Sequence, residues 1–152
     1  MTRDTAREMA VQIVFGLAHN DAGGEDAIDA FFSEEHYSSL AREDADLYAE
    51  CPEGRTLDYI RQVVLGVEEH KSEIDGLIQR FSSPSWDISR ISGTALAVLR
   101  VAVFEILYLD DVPAGAAINS AVEIDKKYDE PETVAYVNGC LGGFVRAHTE
   151  LN

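Results

Sequence analysis

Apolar residues recur along this chain with the period of a helix, and two-residue alternation never runs at length. The first stripe is Ala6, Met9, Ala10, Ile13, Val14 and Leu17, opened by Thr5-to-Glu8 in the form of a capping box, or one turn earlier at Thr2 or Arg3. NDAGGED (20–26) breaks it, and a second helix is predicted from Glu25 to about Phe32. Residues 42–55 read as acidic and irregular, closed by a proline and a glycine. Thr56 is then placed to cap a long helix through Leu57, Ile60, Val63, Val64 and Val67. A break near 69–72 precedes its continuation through Ile74, Leu77, Ile78 and Phe81, and SSPSW (82–86) stops it. Ser92 caps a segment apolar around its whole circumference, the mark of a helix covered on nearly all sides. Pro113 and Pro131 open the last two helices. The pattern predicts one all-α domain over residues 1–152, with about seven helices.

Charge changes this picture more than composition does. The chain has 28 acidic against 12 basic residues, a net charge of −16. Residues 21–60 alone hold 12 acids against Arg42 and Arg55. Such a balance repels nucleic acid as a whole, so any nucleic-acid contact must be local. The opening residues mix charges into the apolar stripe and do not resemble a secretory signal. The longest apolar run, 95–109, contains Arg100 and Glu105 and is too short to span a bilayer. Two cysteines without a motif, Cys51 and Cys140, suit free thiols, and the whole suits a cytoplasmic protein.

Candidate chemistry is sparse. The four histidines lack ligand-type partners, and neither a nucleophile elbow nor a phosphate loop occurs. No catalytic group, metal or cofactor is expected. Arg100 and Glu105, on the most buried helix, are expected to satisfy one another or loop carbonyls. The unusual feature is VAYVNGCLGG (134–143), a helical pattern carrying Gly139, Gly142 and Gly143 at a cost of about 1 kcal/mol each. For Gly142 and Gly143 tight packing of a neighbouring helix is the expectation.

AREMAVQIVF (6–15), ALAVLRVAVFEILYLDDVPAGAAINSAVEIDKKY (95–128) and YVNGCLGG (136–143) together resemble the transcription antitermination factor NusB family. EIDGLI (73–78) and Trp86 followed by ISRIS fit its middle section, whereas 20–54 matches weakly. The resemblance implies two packed helical halves and no enzymatic activity. It also implies binding of boxA-type single-stranded RNA from ribosomal RNA leaders, in a heterodimer with the ribosomal protein NusE, within the transcription elongation complex. Carried over residue by residue, the RNA surface would comprise Arg3 and Arg7 at the start of the first helix, and Tyr136, Asn138 and Gly139 near the end. Tyr136 would stack on a base and Asn138 read its edge. Asp4, Thr5 and Gly115 stand where the family often has basic residues, and Lys126, Lys127 and Arg146 would compensate in part. Phe15 and Ala95 fall at the family's NusE-contact positions. The competing reading is a protein-only interaction module, a homodimer or a complex with another partner, that keeps the fold with a weakened RNA surface.

Overall fold

A computed structural model describes residues 1–19, 21–83 and 86–151, so Asn20 of the first break, Pro84 and Ser85 of the SSPSW break, and Asn152 lie outside it. The described residues form eight helices and no strand: α1 Arg3–Leu17, α2 Gly24–Phe31, α3 Glu34–Glu43, α4 Gly54–Glu69, α5 Lys71–Phe81, α6 Gly93–Tyr108, α7 Ala114–Asp125 and α8 Pro131–Leu151. The caps decide between alternatives left open by the pattern. Thr2 accepts from the Thr5 amide at 3.1 Å, so α1 starts at the earlier option. Ser92 accepts from the Ala95 amide at 3.0 Å, as expected. The fourth helix begins two residues before Thr56 because Gly54, at φ +56°, takes a left-handed turn that a side chain would strain. The extra helix is α3, inside the acidic stretch.

One helix organises the rest. The flanks of α6 pack on α1, α4, α5, α7 and α8, and its residues 97–105 are all buried. The N-terminal half (α1–α4) and the C-terminal half (α5–α8) meet along it. Where α4 packs on it, the Phe104 ring lies directly on the Gly66 backbone: a Cβ on Gly66 would lie 2.1 Å from Phe104 Cε1. Here the missing side chain is a packing requirement.

The charged residues of the core do not pair as expected. Arg100 reaches α5 instead, donating from Nε and Nη2 to Asp75 at 2.8 and 2.9 Å. Glu105, 0% exposed, is held by Arg7, itself 4% exposed. Arg7 Nε and Nη2 donate to the two carboxylate oxygens at 2.6 and 2.9 Å. Its Nη1 donates to Asp4 Oδ1 at 2.7 Å and to Ser120 Oγ at 2.8 Å, and Ser120 donates on to Asp4. Burial opposes the Arg7 charge, but the hydrogen bonds and negative charge of Glu105 outweigh it, and the guanidinium pKa is raised. Side chains from α1, α6 and α7 are thereby tied at one point.

A second buried acid has no such partner. Asp125, at the end of α7, is 0% exposed, and neither carboxylate oxygen has a hydrogen-bond partner in the described structure. Asp129, one turn on, accepts from Ser92 at the start of α6. Burial, and then the Asp129 carboxyl, push the Asp125 pKa from 3.8 up to about 8.

Two outcomes follow for stability. Arg7→Ala should lower the free energy of unfolding by about 3–5 kcal/mol, because it strands a buried carboxylate; an unchanged urea midpoint would contradict the pairing. For Asp125, the unfolded chain ionises from pH 3.8 upward while the folded one keeps its proton to about pH 8, so its contribution to stability declines across that window. Asp125→Asn should therefore raise Tm more at pH 8 than at pH 5. Equal gains at both pH values would rule this out.

Candidate nucleic-acid interface and adjoining groove

The opening helix and the glycine-bearing last helix are joined by α7. Between α7 and α8 lies a cavity of about 630 Å³, lined by Asn119, Glu123, Lys126, Val134 and Asn138 among others. Between α1 and α7 lies another of about 490 Å³, lined by Asp4, Thr5, Glu8, Asn119, Glu123 and Lys127. Asn119 and Glu123 belong to both, so α1, α7 and α8 present one continuous face. It brings Lys126, Lys127 and Asn138 together, with Gly139 exposed at its edge.

The lysines are not free cations. Lys126 Nζ stands 2.8 Å from Glu123 Oε1. Lys127 Nζ stands 2.6 Å from Glu8 Oε1, and that hydrogen bond raises the lysine's pKa despite partial burial. The residues lining the two cavities include four carboxylates, Asp4, Glu8, Glu123 and Asp129, against these two ammonium groups. The face is therefore acidic on balance.

Three expected contacts are placed elsewhere. Arg7 is not on the face: its guanidinium lies beneath it, committed to Glu105, Asp4 and Ser120. It shares a helix stripe with Arg3, but one turn on its side chain reaches inward to Glu105 of α6 and Ser120 of α7. Tyr136 is not an exposed stacking platform. At 8% exposure it lies ring to ring on Trp86, centroids 4.8 Å apart and planes 13° apart, with its hydroxyl 2.6 Å from Ser82 Oγ. It belongs to the side of α8 that seals against α5, together with Cys140. Arg3 is half exposed and turns to the far side of α1, over the Tyr59 ring and beside Asp111.

The glycines of α8 are not closing on another helix either. A Cβ at Gly139 would meet nothing within 4 Å. One at Gly143 would meet Phe81 at an ordinary 3.5 Å, and one at Gly142 would approach the Arg146 guanidinium at 3.4 Å. Gly139 thus leaves open helix surface, whereas Gly143 faces Phe81 of α5 at ordinary contact and Arg146 folds back over Gly142.

Further along the same stripe of α1, Phe15 is 38% exposed, its ring edge-on to His19 at 4.7 Å. The ring is seated against Gly93, where a Cβ would lie 2.8 Å from Cε2. Beside it runs a groove of about 430 Å³ lined by Val11, Phe15, Leu40, Leu47, Tyr48 and Tyr128, with Glu43 and Asp44 on its rim. Ala95, by contrast, is 0% exposed and cannot touch a partner, while its neighbour Thr94 lines the groove. Leu40, Leu47 and Tyr48 are the residues that sequence reasoning missed. Tyr37, Leu40 and Ala41 already had helical spacing, but charged neighbours hid it.

Comparison with known proteins gives this architecture its relatives. A family model described as the NusB family matches residues 4–146. A protein named transcription antitermination protein NusB from Clostridium botulinum (strain Alaska E43 / Type E3) is 33% identical over 146 residues, covering 96% of this chain and 99% of its own. Its namesake from Natranaerobius thermophilus is 36% identical over 146 residues, covering 93% and 92%. Among solved structures, T. maritima NusB superposes with a TM-score of 0.77 at 24% identity, covering 96% of this chain and 92% of that one. A chain from a crystal structure of antitermination factors NusB and NusE in complex with dsRNA superposes at 0.73 with 20% identity, covering 95% and 96%. At those identities the structures speak for the fold alone. The family match and the identity along nearly the whole length establish that this chain belongs to the NusB family.

Proposed function

We propose that this chain is a non-enzymatic antitermination adaptor of the cytoplasm, which binds boxA-type single-stranded RNA together with ribosomal protein NusE and carries both into the transcription elongation complex. The observation that carries the RNA part is the α1–α7–α8 face, unbroken from Thr5 to Asn138 and ending on an exposed amide beside an open glycine. The Asn138 amide can both donate and accept, the equipment needed to read the edge of an unpaired base. Lys126 and Lys127 can exchange a carboxylate for a phosphate partner only at the cost of a standing ion pair. RNA affinity of the isolated chain is accordingly low, and cations of the partner protein supply the difference.

The partner's seat in this reading is the Phe15 groove. Its apolar floor supplies burial, and the acidic rim of Glu43 and Asp44 selects a basic surface. A second reading, a protein-only module acting as a homodimer or with another partner, is favoured by the acidic balance of the α1–α7–α8 face.

A titration of labelled boxA RNA separates the two. With NusE from the same organism present, a ternary complex should form at physiological salt, while the chain alone binds weakly. Asn138→Ala should cost roughly 1–2 kcal/mol of RNA affinity, the worth of a hydrogen-bonded contact, with NusE binding intact. Phe15→Leu should weaken NusE binding while keeping enough packing against Gly93 to hold Tm within a few degrees. A NusE complex that ignores RNA would instead establish the protein-only module.

A further inference from the structure

The first turn of α1 has a second side, turned away from α7. There Thr2, Arg3 and Ala6 meet Arg55, Thr56 and Tyr59 from the start of α4 around a cavity of about 140 Å³. Neither of its arginines is held in a close ion pair. Arg7, Arg61, Arg100, Lys126 and Lys127 each pair closely with a carboxylate. Arg55 is exposed and has no ion pair among the described residues. Arg3 stands 3.6 Å from Asp111, a loose contact, and its guanidinium carbon lies 4.1 Å above the Tyr59 ring centroid. Stacking on a buried ring fixes the guanidinium plane and leaves its nitrogens at the cavity edge.

We propose that Arg3 and Arg55 form a clamp for one phosphodiester group of the RNA, at the end of the strand's path where it crosses the first turn of α1. Position favours this ligand, since Asp4 and Thr5 of the same turn line the neighbouring α1–α7 cavity. A strand lying on that face reaches the clamp by passing over a single helical turn. Chemistry favours it too. Two planar guanidinium groups from different helices match the oxygens of one phosphate. The first turn of α4 carries no acid, although its N-cap is Glu53, whose carboxylate makes no cap bond and opposes an anion there. Asp111 and Glu50, beside the clamp, oppose it and set its affinity low enough to need the rest of the RNA surface.

The clamp rests on the RNA-binding reading above, and one experiment separates their failures. Anisotropy of a boxA oligonucleotide is measured over a salt series with the full chain and NusE, for the unsubstituted protein, Arg55→Gln and Asn138→Ala. Arg55→Gln should bind several-fold more weakly, with a salt slope shallower by about 0.7 log unit, the value of one single-strand phosphate contact. Asn138→Ala should weaken binding with the slope unchanged. The exposed position of Arg55 keeps Tm as a folding control. In parallel, the Arg55 and Thr56 amide resonances should shift on RNA addition. If RNA binds and Arg55→Gln changes neither affinity nor slope, the clamp is overturned and the RNA reading stands. No binding by the unsubstituted complex overturns both.

Discussion

A single buried ion pair governs both the architecture and the surface of this protein. Arg7 and Glu105 meet with two hydrogen bonds in a region that water does not reach, and Arg7 extends through Ser120 to α7. Taking both charges out of water is costly, and what offsets that cost is the bidentate geometry together with the further Arg7 hydrogen bonds to Asp4 and Ser120. The pair contributes position more than net stability. It fixes where α1 sits against α6 and α7, and so where the α1–α7 cavity opens. The same bond removes the most promising cation of the first helix from the surface.

The consequence is a family fold whose nucleic-acid face is short of positive charge. With Arg7 withdrawn, Lys126 and Lys127 held by Glu123 and Glu8, and Arg3 turned over Tyr59, what remains on the face is polar and shape-bearing. Asn138 and the open glycine surface can give selectivity among bases, which hydrogen bonds supply. In the proposed reading affinity comes from elsewhere: a basic partner on the acid-rimmed Phe15 groove, and phosphate contact beside the first turn of α1. The α1–α7 cavity and the Phe15 groove follow one stripe of α1 and share Leu47, so the proposed RNA and protein surfaces adjoin.

Much of the fold was legible in the residues. Apolar spacing located seven of the helices, and the all-round burial of α6 could be read from a segment with no polar face. The helix α3 escaped because Glu34, Glu35, Arg42 and Glu43 dominate it and only Tyr37 is buried. The site was less legible, for a geometric reason. Periodicity says that Arg3 and Arg7 share a stripe but not at which turn a neighbouring helix closes over it. Glu105 carried the missing signal: an acid in a helix buried on all sides needs a cation from elsewhere, and Arg7 supplies it. Tyr136 was misplaced because its cover, Trp86 and Ser82, comes from a connection whose path no helical pattern describes.

Arg7 is an interior residue, and the charge of the candidate face follows from that. Substituting both partners, Arg7→Met with Glu105→Leu, removes the charges together and leaves none stranded. The decisive quantity is the salt dependence of boxA RNA binding by the complex with NusE. If Arg7 touches no phosphate, the double variant keeps the slope of the unsubstituted protein. A slope shallower by about 0.7 log unit would mean that a phosphate contact had been lost, and would contradict the account.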